Sequence, residues 1–231
     1  GTNALAQSTT GTAINNAAVF GQNAQGNANS TSAFGQNAKA ISAYASAFGQ
    51  GSQAKNTNST AIGRASVAGT TGSLGTILSG DTAVGAYANA TDPNVDKFFD
   101  ITSGTPCTTT GCGPSMKRGA STAVGQFANA RDASVAVGDG SRAWTFSTAV
   151  GVKTRATGAY STAMGMQAKA YGFMSQAIGA YAKVSNTGRF STAIGVVSNA
   201  SGYASNAFGG NAAALGSRST ALGGGAYAYG A

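Results

Sequence analysis

Small, apolar and polar positions alternate along this chain in a phrase that keeps returning, Ser-Thr-Ala-apolar-Gly. It reads STAIG at 59–63, STAVG at 121–125 and 147–151, STAMG at 161–165, STAIG at 191–195 and STALG at 219–223. Looser copies end at Gly21, Gly35, Gly49, Gly85, Gly138, Gly179 and Gly209. Successive glycines of the series lie 14, 14, 14, 22, 40, 13, 13, 14, 14, 16, 14 and 14 residues apart. A short fixed period means stacked copies of one unit, each covering its neighbour, and so predicts a solenoid rather than a globule. With each glycine as position zero, Ala stands at −2 (Ala33, Ala47, Ala61, Ala83, Ala123, Ala163) and a small residue, usually Ser, at −4. After the glycine, positions +3 and +5 are again small, as in Ala38 and Ala40 or Ala168 and Ala170. Alternation of period two is that of a strand, so each unit predicts two strands of about five residues.

The two small faces must meet inside the coil. If the apolar column at −1 pointed inward, it would meet Asn37 and Lys39, or Gln167 and Lys169, across the interior. Burying such groups without partners costs several kcal/mol each. The predicted unit is therefore a flattened two-strand coil with an interior of Ala, Ser and Gly. The apolar column is left outside: Phe20, Phe34, Phe48, Ile62, Val84, Val124, Val137, Val150, Met164, Ile178, Ile194, Phe208 and Leu222. A stripe of that extent exceeds what a soluble monomer leaves in water, and it reads as an obligate interface between chains. At about 1.5–3 kcal/mol per large side chain, its burial is worth tens of kcal/mol as an upper estimate, whereas an alanine interior alone is marginal.

Composition agrees. The chain of 231 residues has 35 Gly, 3 Pro, 9% charged residues and no Glu, which is hostile to helices. No apolar run is long enough to span a membrane, and the first residues, Gly1 to Ala6, look like a degenerate repeat rather than a secretory signal. Since the sequence also stops inside a repeat, a piece of a longer protein is expected. The 14 Lys and Arg against 6 Asp give a net charge of +8, which points to acidic proteins, anionic polysaccharides or nucleic acid as partners. With no His and two Cys, no metal or cofactor is expected. The carboxylates, at 81, 92, 96, 100, 132 and 139, are too scattered for hydrolase or lyase chemistry, so an enzyme is not expected. Nucleic-acid binding fits the charge but lacks a stacking or groove-reading motif. A flat ice-binding face of ranked Thr is disfavoured too, because the Thr column (Thr122, Thr148, Thr162, Thr192, Thr220) shares the face of the apolar stripe and so lies inside the expected assembly.

Two places break the period. An insertion of about 8 residues lies within 66–80, and one of about 26 spans 92–118. About fourteen coils at about 4.8 Å each predict a length of roughly 65–70 Å. Position +4 points outward from the second strand, and in four successive coils it is Arg142, Arg155, Lys169 and Lys183. Stacked like charges repel, so this stripe is either a site for acidic ligands or a solvated edge that keeps an alanine-rich coil soluble. Position +2 carries Tyr87, Phe127 and Tyr181, placed on the same outward face as contact hot spots or as packing against neighbouring coils or the insertion. Phe98 and Phe99 in the long insertion are read as its anchor to the coils, the alternative being a sticky tip, and Trp144 falls at a coil turn.

The phrase Ser-x-Ala-apolar-Gly followed by x-x-Ala-x-Ala resembles the head repeats of trimeric autotransporter adhesins, most closely heads of the Yersinia adhesin type. Thirteen copies carry the likeness over nearly the whole chain outside 66–80 and 92–118. The resemblance implies an all-β, left-handed parallel β-roll, homotrimeric about one axis; the repeat pattern itself places head repeats over 1–91 and 119–231, with 92–118 an inserted loop or hairpin about which nothing carries over from the family. It further implies display on the outer membrane of a Gram-negative bacterium through a neck, stalk and C-terminal anchor beyond Ala231. The implied function is attachment to host matrix proteins or cell surfaces, or autoaggregation, and the charge of the chain adds acidic surface glycans as partners; a passive spacer rod is the alternative. No single ligand transfers with the motif. Export through an oxidising compartment would favour a disulfide between Cys107 and Cys112 within the insertion.

Overall fold

The computed structural model describes residues 1–7, 14–69, 80–91, 99–100, 105–106 and 121–230. Cys107, Cys112, Phe98 and most of the 92–118 insertion lie outside these described residues. Two compact units are formed, one of Gly1–Lys97 with Pro114–Ala133 and one of Phe98–Gly113 with Ser134–Ala231.

In the first unit, the strands Ala18–Phe20, Ser32–Phe34, Ser46–Phe48, Thr60–Ile62, Thr82–Val84 and Thr122–Val124 pair in parallel in chain order. The intervening strands, Leu5–Ala6, Gln25–Gly26, Lys39–Ala40, Gln53–Ala54, Val67–Ala68, Asn89–Thr91 and Asn129–Arg131, pair likewise into a second sheet. The second unit repeats the plan. Its first-strand sheet runs from Val135–Val137 to Thr220–Leu222, and its second-strand sheet from Arg142–Ala143 to Tyr227–Ala228. An antiparallel pair, Phe99–Asp100 with Thr105–Pro106, belongs to the same unit. Each unit is thus a parallel β-solenoid, as the period predicts.

The strands are shorter than the expected five residues, at two or three each. Both turns of a coil take up the difference, because each contains a residue in the left-handed region. One stands at +2, as Asn37, Tyr87 and Gln167 with φ of 58°, 57° and 56°. The other stands at −5, as Asn58, Tyr160 and Arg218 with φ of 58°, 56° and 56°. Asn adopts this conformation readily, and the other residues hold it at a modest cost, singly in most turns and as adjacent pairs at Asp132–Ala133 and Thr145–Phe146.

The glycine at position zero is required twice over. Gly179 has φ +128°, and a Cβ there would lie 2.5 Å from the carbonyl oxygen of Gly195 in the next coil. Stacked glycines therefore bring backbone against backbone, and this column sets how closely coils can approach.

The interior is as thin as expected. Ala33, Ala47, Ala61, Ala123, Ala163 and Ala193 on one strand, and Ala40, Ala90, Ala130 and Ala170 on the other, are fully buried. The serines at −4 have a polar reason to be there. Ser59 Oγ donates to the Asn56 carbonyl at 2.6 Å, Ser175 Oγ to Gly172 at 2.7 Å and Ser205 Oγ to Gly202 at 2.9 Å, tying the preceding turn to the strand. Two exceptions mark irregular coils. Val184 is fully buried in the coil that carries two extra residues (16 from Gly179 to Gly195), facing Gly188, where a Cβ would come within 2.7 Å of Val184 Cγ1. Asp81 is buried at the −4 position usually held by Ser. Its carboxylate accepts the Ser121 N–H at 2.9 Å and Asn56 Nδ2 at 3.2 Å, bracing the coil to which the chain returns after the long insertion.

Candidate functional site

Period two leaves each coil two outward faces, one on each sheet. On the first-strand sheet, −1 and −3 both point out. The parallel register stacks Phe20, Phe34, Phe48, Ile62, Val84 and Val124 directly upon one another in the first unit. In the second unit it stacks Val137, Val150, Met164, Ile178, Ile194, Phe208 and Leu222. The rings of Phe34 and Phe48 lie parallel, 5.2 Å apart. In the single chain these side chains are half-buried by their own neighbours or exposed, with Phe20 at 68% and Leu222 at 77% exposure at the ends of their stacks. The Thr column at −3 stacks beside them on the same face, Thr148 on Thr162 and Thr82 on Thr122.

The apolar surface is wider than the stripe read from sequence. In the second unit Val152, Met166 and Val196 at +1, together with Val197, are exposed at the corner that follows the stripe. The same +1 column in the first unit is polar except at Ala86: Gln36 Nε2 donates to Gln22 Oε1, and Gln50 Nε2 to Gln36 Oε1, each at 2.8 Å. The contrast is present in the sequence, where +1 passes from Gln22, Gln36 and Gln50 to Val152, Met166 and Val196.

The second-strand sheet carries the cations. Arg142 pairs with Arg155, Arg155 with Lys169 and Lys169 with Lys183, one above the next. Arg142, Arg155 and Lys183 are exposed and Lys169 is half-buried. Lys39 holds the same column in the first unit, but its register partners are Gln25 and Gln53, so no ladder forms there. Among the described side chains of the second unit, seven are cationic (Arg142, Lys153, Arg155, Lys169, Lys183, Arg189, Arg218) and one, Asp139, is a carboxylate. A second outward column runs beside the ladder at +6. Trp144, Thr157 and Tyr171 follow one another in it, their N–H groups donating to the carbonyls of Ala156, Ala170 and Val184 at 3.0, 3.0 and 3.1 Å. Trp144 is thus placed at the outward end of the second strand, 40% exposed, and Tyr171 is half-buried.

The aromatics at +2 are not on this face. Tyr87, Phe127 and Tyr181 have φ of 57°, 55° and 60°, which puts them in the turn ahead of the second strand, where the alternation of a strand no longer applies. Tyr87 and Phe127 pack on each other across coils, with ring centroids 5.2 Å apart, and the Arg64 guanidinium lies 4.9 Å over Tyr87. A larger aromatic array, missed from sequence, lines the opposite turn of the second unit. Phe146 stacks on Tyr160 at 5.1 Å, and Phe173 meets Tyr160 and Phe190 edge-on at 5.9 and 5.6 Å. Phe190 meets Tyr203 at 5.7 Å, and Arg189 sits over Phe173 and Phe190 at 5.5 and 5.9 Å. These rings engage one another, so the array is a spine for the turns rather than a row of open faces. Its residues fall at −5 and −6, positions whose variable identity hid the column.

The model of the YadA head domain repeat (2 copies) matches residues 27–52, 40–66, 54–74, 145–168, 187–212 and 200–226. These stretches fall in both units and leave out the long insertion. No curated protein matches the chain significantly.

Proposed function

We propose, from the premise that this chain carries YadA head domain repeats and is a surface adhesin head, that three copies join through their first-strand sheets and attach cells through the outer face they leave free. Such heads are non-catalytic, and the chain is not an enzyme. The observation that carries the assembly is the apolar column: successive coils stack Val150, Met164, Ile178 and Ile194 in register, yet in the single chain Met164 and Ile194 are exposed. Burying both stacks would add tens of kcal/mol, as an upper estimate, to an interior made of methyl groups. The proposed assembly is a left-handed β-roll trimer in which 92–118 is an insertion between two stretches of head repeats, with Cys107 and Cys112 bonded inside it. Its proposed place is the outside of a Gram-negative outer membrane, held there by an anchor C-terminal to this sequence.

The outer face supplies the contacts. Arg142, Arg155, Lys169 and Lys183 form an unbroken cationic ladder. In a trimer it is present three times, and many molecules on a cell turn weak contacts into avidity. The proposed partner is an acidic group on host matrix or cell surface. Attachment of protein-coated beads to host cells, measured against salt, tests this. Replacing the four cations by Gln should abolish the salt dependence while sedimentation still shows the trimer. Attachment that is lost on deletion of 92–118 but retained by the four-fold variant would move the site to the insertion.

A further inference from the structure

Two outward columns run side by side on the second-strand sheet of the second unit, and together they are more selective than charge. One is the ladder Arg142, Arg155, Lys169, Lys183; the other, two residues on, places Trp144 and Tyr171 two coils apart. We infer that this strip binds a linear acidic polysaccharide, sulfated or uronate-bearing, lying lengthwise across the coils. The inference rests on the proposed adhesive role of the ladder and names its ligand class.

Spacing separates the candidates. Cations repeat once per coil, about 4.8 Å, which is close to the advance of one hexose along an extended glycan. An extended acidic peptide presents same-face carboxylates every second residue, about 6.6–6.8 Å apart, and so falls out of step by the second coil. Nucleic-acid strands bring stacking bases, but the larger aromatic array of this unit has its rings turned onto one another, with Phe146 on Tyr160 at 5.1 Å. A glycan needs only what the strip offers. Guanidinium and ammonium groups pair with carboxylate or sulfate. Rings spaced about 10 Å apart, two coils, support the apolar C–H face of every second sugar. The neighbourhood adds little opposing charge, since Asp139 is the one carboxylate among the unit's described side chains. Lys39 in the first unit, flanked by Gln25 and Gln53, lacks both the ladder and the rings, so the strip is confined to the second unit.

The test is titration of the intact protein with heparin fragments of increasing length, with polyglutamate and oligothymidylate of matched charge as competitors. If all four cations engage, binding should fall about fifty-fold between about 50 and 200 mM salt, corresponding to a slope of about −3. It should rise with fragment length until four sugars are spanned. The variant R142Q/R155Q/K169Q/K183Q should lose at least about tenfold in affinity and most of the slope. W144A/Y171A should lose about fivefold or more with the slope unchanged, a split that charge alone cannot produce. Circular dichroism and sedimentation identical to the unmodified protein show that neither variant acts through folding. Unchanged heparin binding by W144A/Y171A, or equal competition by polyglutamate or oligothymidylate, overturns the inference. The bead assay separates it from the reading beneath it. Attachment that needs the four cations without any heparin binding overturns the glycan and leaves the ladder adhesive. Heparin binding with attachment indifferent to the four cations leaves the glycan site and removes its adhesive role.

Discussion

The glycine column offers the sharpest test of what holds the coils together, through Gly179→Ala. The added methyl meets two separate penalties. Alanine at φ +128° occupies a region that L residues rarely adopt, costing about 1–3 kcal/mol. Its Cβ would also stand 2.5 Å from the Gly195 oxygen and 2.7 Å from the Gly195 carbon, both backbone, so the next coil must move. That movement strains the hydrogen bonds on either side, Gly179 N–H to the Met164 carbonyl at 2.8 Å and Gly195 N–H to Ile178 at 2.9 Å. At about 1 kcal/mol each, the two bring the total to about 3–5 kcal/mol. Gly140→Ala is the matched control. Its φ is +62°, and the nearest heavy atom to an added Cβ is Lys153 Cγ at 3.5 Å, so only the left-handed cost of about 1–2 kcal/mol applies. Thermal unfolding followed by circular dichroism, at equal protein concentration, compares the two. At about 2–4 °C per kcal/mol for a chain of this size, Gly179→Ala should lower Tm by about 6–20 °C and Gly140→Ala by about 2–8 °C. Equal shifts for the two variants would refute the claim that backbone contact between coils, rather than turn conformation, fixes the glycine.

Ile178→Asp should dissociate the assembly or abolish it, because three carboxylates would converge in an apolar interface at a cost of several kcal/mol; sedimentation showing an intact trimer would count against the proposed packing. Asp81→Ala leaves the buried Ser121 N–H without its 2.9 Å acceptor, and a loss of about 1–3 kcal/mol in denaturant unfolding is expected, with the coil around Ser121 exchanging its amide hydrogens faster. Cys107 and Cys112 should both resist thiol labelling in protein exported through an oxidising compartment, and their reduction should leave the β signal of the coils unchanged; two reactive thiols would contradict the pairing.

Much of this molecule is legible in a single column of its sequence because a solenoid repeats one local decision. Ala at −2 and Ser at −4 had to face inward once the alternatives, such as Asn37 and Lys39, were too costly to bury, and Ala33, Ala61 and Ser59 are accordingly buried. The same alternation put Phe34, Met164 and Ile194 outside and stacked Arg142 upon Arg155. It failed where alternation stops. Tyr87, Phe127 and Tyr181 would share the outward strand face only if the second strand began at +2. A residue at φ near +57° reverses the chain and carries its side chain around the corner instead. The spine from Phe146 to Tyr203 was invisible for a related reason. Its rings come from neighbouring sequence positions in different coils, so only the stacking of whole coils brings Phe173 between Tyr160 and Phe190. Which side of each strand is buried follows from residue order alone, since it depends on the period of two and on the free energy of burying polar groups. The folded chain settles which turn residues meet and why Asp81 stands at −4, where its carboxylate reaches the Ser121 N–H beyond the long insertion. It alone shows why zero must be glycine, because those depend on distances between coils that the chain acquires when they stack.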